Sequence, residues 1–219
     1  MTNTKILNKE TLELFENKML DILNNCGVFN NKRIISSPRS VGDIAQEVVG
    51  ERMVECFPND LIMDYNASFA RRAMEDVAFF DIDENYYMVD IKTHNKNTDF
   101  NMPNLTSVER LARKYRDDKV FFIILLIEYS TDNDSIQFES VTFCPIENFQ
   151  WSCLHIGALG WGQIQIANAN RIDIDRSMTR KSWMLQLCDA LDIFYPKEIA
   201  KIQERIDYFQ EIRTFWENK

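Results

Sequence analysis

Glycine and proline are scarce in this chain, six and five of 219 residues. A sequence so poor in turn formers is not a loop-rich scaffold, a disordered tract or a collagen-like repeat. Histidine is rarer still, at His94 and His155 only, and neither lies near a pair of cysteines. The five cysteines (Cys26, Cys56, Cys144, Cys153 and Cys188) are scattered, odd in number and without a C-x-x-C pair. That spacing suits neither a zinc site nor a disulfide framework, and it fits reduced, mostly buried thiols of a cytosolic protein. Long apolar runs are missing too. The longest, "VFFIILLI" at 120–127, is far too short to span a bilayer. The opening "MTNTKILNKETLELF" mixes charge with apolar residues and is not a signal peptide. A soluble protein is expected, with no membrane partner and no small-molecule cofactor.

Positive charge is in deficit as well. A net charge of −9 argues, taken alone, against a nucleic-acid partner, because phosphate binding wants Lys and Arg. The balance is uneven, however. Residues 29–42 carry Lys32, Arg33 and Arg39 with no acid. Residues 92–116 carry six bases, Lys92 and Lys96 among them, against Asp99 and Glu109. Residues 168–182 carry Arg171, Arg176, Arg180 and Lys181 against two acids. The global sign leaves room for a local basic groove.

What is present reads as one mixed α/β domain over 1–219, with a central mixed β-sheet flanked by helices. A helical segment (1–40) comes first, then a core (41–146), then a loop with closing helices (147–219). Leu12, Phe15, Met19, Ile22 and Leu23 recur at helical spacing, which predicts a helix over 8–25 ended by Gly27. Its apolar stripe suits either a dimer contact or the chain's own core. Residues 30–40 read as loop, and Ser40 as the cap of a helix over 41–57. "LIMDY" (61–65) is a short strand. "VAFFDI" (77–82) and "YYMVDIK" (86–92) flank the turn signal "DEN" and predict a hairpin. Residues 104–118 have the spacing of a helix. The continuous run 119–129 predicts a strand covered on both faces. Further strands are expected at 135–146 and 162–169, and two helices at about 178–193 and 196–217. Ile199, Ile202, Ile206, Phe209 and Ile212 form a stripe on the second.

Four acid-x-Lys triplets occur: Glu16/Lys18, Asp90/Lys92, Asp117/Lys119 and Glu217/Lys219. Three fall in helices or at helix ends and read as solvated surface. Asp90 and Lys92 lie instead on a predicted strand, where alternation turns both side chains to one face. Asp76 precedes the partner strand, so the hairpin brings it near residues 90–92. Two carboxylates this close repel, and a hard divalent cation relieves the repulsion. Mg²⁺ takes one or two protein carboxylates and keeps its other positions for water and phosphate oxygens. Lys92 is then placed to orient a nucleophile or stabilise developing negative charge. Solvated carboxylates with a surface ion pair are the bland alternative.

The pattern resembles the PD-(D/E)XK nuclease signature, with Glu75 in the place of the proline. More narrowly, "DIKTHNKNTDFNMPNLTSVERLARK" and "GWGQIQIANANRIDIDRSMTRKSW" are similar to segments of type II restriction endonucleases of the HincII/HindII family. The resemblance runs in order through most of 70–215, and the first 40 residues show little of it. It implies a restriction-endonuclease-like core in a cytoplasmic, bacterial enzyme of a restriction-modification system. It implies Asp76 and Asp90 as Mg²⁺-binding acids and Lys92 as the catalytic lysine, with Glu47 as a possible extra acid. The partner implied is double-stranded DNA at a short palindromic site, cut by a homodimer to blunt ends bearing 5′-phosphates. Asn101 and Asn104 fall in the segment that enters the DNA near the cleaved step, and Lys96 is a further DNA-binding residue. Asn168, Asn170 and Arg171 are the side chains suited to reading base edges, and Arg176, Arg180 and Lys181 those suited to phosphates.

Two other functions fit the same residues: a structure-specific repair or recombination nuclease, and a nuclease-like fold that only binds. His94 reads as a loop histidine or a general base, and His155 as a satisfied core histidine. Trp151, Trp161 and Trp183 read as core, with stacking on DNA as the other use.

Overall fold

The structure, a computed structural model, describes residues 4–68, 73–99, 101–132 and 135–219, and of Lys32 and Arg33 the backbone alone. Two of the three bases expected to make 29–42 positive thus have side chains outside the described part.

Helix α1 (Lys9–Asn25) starts where the Asn8 side chain accepts from the Thr11 N–H at 2.8 Å. Its stripe, Leu12, Phe15, Met19 and Leu23, is buried in the chain's own core. A short helix, α2 (Lys32–Ile35), interrupts the expected loop. Helix α3 (Pro38–Cys56) begins earlier than the expected Ser40 cap. Pro38 sits in the first turn, where its missing N–H costs nothing, and the Ser37 hydroxyl caps the Ser40 N–H.

Five strands form the main sheet: β1 (Ile62–Asn66), β2 (Val77–Asp81), β3 (Tyr86–Asn95), β5 (Val120–Asp132) and β6 (Ser135–Pro145), in the order β1-β2-β3-β5-β6. The β2–β3 hairpin is organised by Asp81. Its buried carboxylate accepts from the Asp83 and Asn85 backbone N–H groups and from the Tyr87 hydroxyl. Strands β3 and β5 are parallel, with Asp90 beside Ile124, and all other pairs in the sheet are antiparallel. The central β5 is buried from Val120 to Ile127, as a strand covered on both faces requires.

Between β3 and β5 run β4 (Asn104–Ser107) and α4 (Val108–Lys114). The helix expected over 104–118 is therefore only half right. Its first turn is a strand, because residues 104–107 pair with β8 (Gln163–Ile166) in a second sheet, β4-β8-β7, with β7 at Leu154–Gly157. Long-range pairing outweighs local helical spacing there. The two closing helices are one, α5 (Arg180–Glu217), with Pro196 inside it.

The two faces of the main sheet bury separate cores. Helices α1 and α3 pack on Val77, Phe79, Tyr87, Val89, Phe121 and Ile123. The small sheet, α4 and the start of α5 cover Met88, Phe122, Ile124 and Leu126. Alternation puts Asp90 and Lys92 on this second face, at its open end.

Candidate active site

Strand β2 stops pairing at Val77, and Asp76 continues its ladder with both backbone and side chain. The Asp76 N–H donates to the Val89 carbonyl at 2.9 Å, and its Oδ2 accepts from the Ile91 N–H at 2.8 Å. Its Oδ1 accepts from Gln46 Nε2 of α3 at 2.9 Å. The carboxylate is thus held across the strand end beside residue 90, where the hairpin register predicts it.

Asp90 is only 7% exposed. Lys92 Nζ donates to its Oδ1 at 2.6 Å, while its Oδ2 is buried with no hydrogen-bond partner in the protein. Burial pushes the Asp90 carboxyl up to about 7; the charge of Asp76 adds to the rise, and Lys92 opposes it. A buried carboxylate oxygen without a donor is unfavourable and calls for a proton, a water or a cation.

An open cleft of about 680 Å³ lies in front of Asp90, lined among others by Met74, Ser107, Arg110, Trp161 and Gln163. Trp161 is 76% exposed, so it is not the core residue that its apolar neighbours suggest. It sits in a loop turned by Gly160 (φ 62°) and Gly162 (φ 115°), and its carbonyl accepts from the Tyr195 hydroxyl at 2.7 Å. Sequence reasoning placed none of these five side chains at the site. Arg110 falls in the basic run and Gln163 in the "QIQ" strand, but only the pairing of β4 with β8 brings them to Asp90.

The other expected site residues divide into groups. Loop 168–171 docks on His94, Thr98, Asp99 and Asn101. The Ala169 N–H donates to the Asn101 carbonyl, and Asn170 Nδ2 donates to the Thr98 and Asp99 carbonyls. Asn170 Oδ1 lies 2.8 Å from His94 Nε2. The Asn168 side chain caps the Asn170 N–H, and Arg171 is exposed. Asn104 is exposed and hydrogen-bonded to Gln165 across the small sheet. Lys96 pairs with Glu139 at 2.7 Å. Arg176 pairs with Glu16 of α1 at 3.0 Å, and Lys181 is exposed. Arg180 departs from a phosphate-contact role. Its guanidinium is nearly buried, pairs with buried Glu147 at 3.1 Å and lies over the Tyr115 and Phe121 rings. Glu47 is exposed on α3, and the residue before it, Gln46, is the one that meets Asp76.

Both histidines differ from expectation. His94 is a buried strand residue, not a loop residue, and its Nδ1 has no partner. His155 is half-buried in β7, and its Nδ1 is likewise unsatisfied. Trp183 is core, as expected, and half-buried Trp151 packs against it. All five cysteines are free thiols, with Cys188 exposed.

Among the described residues no group of three His, Cys, Asp or Glu side chains converges as a metal cage. The donor set at Asp76 and Asp90 is two hard carboxylates, one with an unpaired buried oxygen, and this suits Mg²⁺ better than Zn²⁺. Among the described residues no helix is long and apolar enough to cross a membrane. No protein-family model matches the chain, and no curated protein matches it.

Proposed function

We propose that the protein is a Mg²⁺-dependent endonuclease with a restriction-endonuclease-like core. It hydrolyses phosphodiester bonds at a short palindromic site in double-stranded DNA, acts as a homodimer and leaves blunt ends with 5′-phosphates. The observation that carries this reading is the unpaired, buried Oδ2 of Asp90, beside a second carboxylate and an ammonium at the edge of an open cleft.

Asp76 and Asp90 would hold the ion. Bound there, it supplies a lowered pKa for a coordinated water and neutralises charge on the phosphate. Asp76 is kept in place by the Ile91 N–H and Gln46. Lys92, which lies 2.6 Å from Asp90 Oδ1, would donate to the phosphate oxygen that gains charge. Arg110 at the cleft wall offers a second positive charge to the DNA backbone. A two-fold protein on a palindrome presents one such site to each strand.

One feature favours a second reading. The exposed Trp161 indole beside Asp90 is a stacking surface for an unpaired base, which suits a nuclease of branched or single-stranded DNA. Incubation of the protein with plasmid and with branched DNA, in Mg²⁺ and in chelator, separates the readings. Discrete plasmid fragments support the first, and cutting of branched DNA alone supports the second. No cleavage in Mg²⁺ or Mn²⁺ removes both and leaves a binding protein.

A further inference from the structure

Helix α5 leaves the body of the molecule. Its first turns are anchored by buried Trp183 and Leu187, but from Ile199 to Lys219 every residue except half-buried Ile212 is exposed. The arm from Pro196 to Glu217 is about 33 Å long at the helical rise of ~1.5 Å per residue. Its exposed side chains are not those of a solvated helix. Ile199 is 67% exposed, Phe209 66% and Trp216 63%, with Ile202 and Ile206 also open.

These residues follow a heptad. Positions 199, 202, 206, 209, 213 and 216 alternate steps of three and four, the spacing of a coiled-coil seam, and only Arg213 among them is charged. From Lys197 to Lys219 the chain carries Lys197, Lys201, Arg205, Arg213 and Lys219 against Glu198, Glu204, Asp207, Glu211 and Glu217. Five bases and five acids cancel, so the arm is no phosphate-binding surface and two copies do not repel.

We infer that this arm is a dimerisation element whose occupant is the arm of a second copy, in antiparallel pairing. An antiparallel two-fold centred between 206 and 209 stacks Ile206 on the partner's Phe209 and Ile199 on the partner's Trp216. Each layer then joins a small side chain to a large one. Arg213 meets the partner's Ile202, and Glu198 meets the partner's Lys219 at both ends. A parallel pair in register sets Arg213 against the partner's Arg213 and brings together no opposite charges at the flanking positions. Glu198 is half-buried and pairs with exposed Lys201 of its own arm, and the partner's Lys219 replaces that Lys201. The seam side chains cover roughly 600–800 Å² per copy, the size of a standard stable interface. The pairing names the surface for the dimer proposed above, but it does not rest on catalysis, since its experiment contains no DNA.

Sedimentation of the full chain without DNA is expected to show a dimer. Ile199→Glu with Ile206→Glu is expected to be monomeric at concentrations about 100-fold above the wild-type midpoint, with an unchanged circular-dichroism spectrum. Glu198→Lys or Lys219→Glu alone weakens the dimer, and the two together restore it. Orientation is read by oxidising a mixture of Ile206→Cys and Phe209→Cys chains in a background without exposed Cys188. The antiparallel seam cross-links 206 to 209 between copies. A monomeric wild type, a dimer that survives the double glutamate substitution, or preferential 206-to-206 linkage each overturns the inference. Failure here leaves the plasmid cleavage result untouched, and loss of cleavage leaves this result untouched.

Discussion

Asp90 is the residue on which charge, burial and proposed chemistry meet. Its carboxyl is pushed up to about 7 by burial, so in metal-free protein it holds its proton through most of the acid range. Between about pH 4 and 7 the folded state then binds more protons than the unfolded chain, so Asp90 loses its stabilising contribution as pH rises through that window. Asp90→Asn cannot titrate there. Its melting temperature relative to wild type is expected to climb from pH 4 to pH 8 in chelator, because the wild type must ionise a buried carboxyl over that range. Thermal melts of both proteins across that range check it, and a flat difference refutes the burial account. Cleavage tests the same residue differently. Asp90→Ala and Lys92→Ala should each lower it by at least about 100-fold, with DNA binding surviving Lys92→Ala. Glu16→Ala and Lys119→Ala, from two of the other acid-x-Lys triplets, are expected to leave the cleavage rate within about twofold.

At the scale of elements, what was legible depended on whether a signal was local. The β2–β3 hairpin was readable because the turn at 83–85 and the β-formers on both sides of it lie together within residues 77–92. Asp76 could be placed beside Asp90 from that register alone. The first turn of the 104–118 segment was not readable, since its strand partner β8 lies some sixty residues away. Trp161 and Arg110 stayed hidden at the site for the same reason. Two closing helices were expected from the sequence, yet α5 runs through Pro196 as one helix. Arg180 shows the limit of reading charge from sequence. A basic run looks like a phosphate contact until the fold supplies Glu147, Tyr115 and Phe121 as its neighbours. Arg180→Ala strands the buried Glu147 carboxylate and should cost about 3–5 kcal/mol, roughly 10 °C in a melt. Gln46→Ala is the contrasting case. Gln46 is exposed and its loss should leave the melt nearly unchanged, but it frees Asp76 Oδ1 and should slow cleavage about tenfold. If both readouts move together, Gln46 supports the fold and not the position of Asp76.

For the whole molecule, the excess of acid and the projecting arm bear on one question: how an anionic chain with the single site proposed above would cut both strands of a duplex. A net charge of −9 gives little long-range attraction to DNA, so binding must come from local contacts and from two copies acting together. Linking two bodies through their arms raises the effective concentration of the second site once the first has bound. Wild-type protein should therefore turn supercoiled plasmid into linear product with little nicked intermediate. The Ile199→Glu/Ile206→Glu chain keeps Asp76, Asp90, Lys92 and the cleft intact. It should still cut one strand, but its second cut should slow by at least about tenfold and nicked circles should accumulate. Raising its concentration until two monomers meet on one site should recover linear product. If the variant makes linear product as directly as wild type, the copies meet on DNA through some other face. The arm would then join molecules without coupling their cuts.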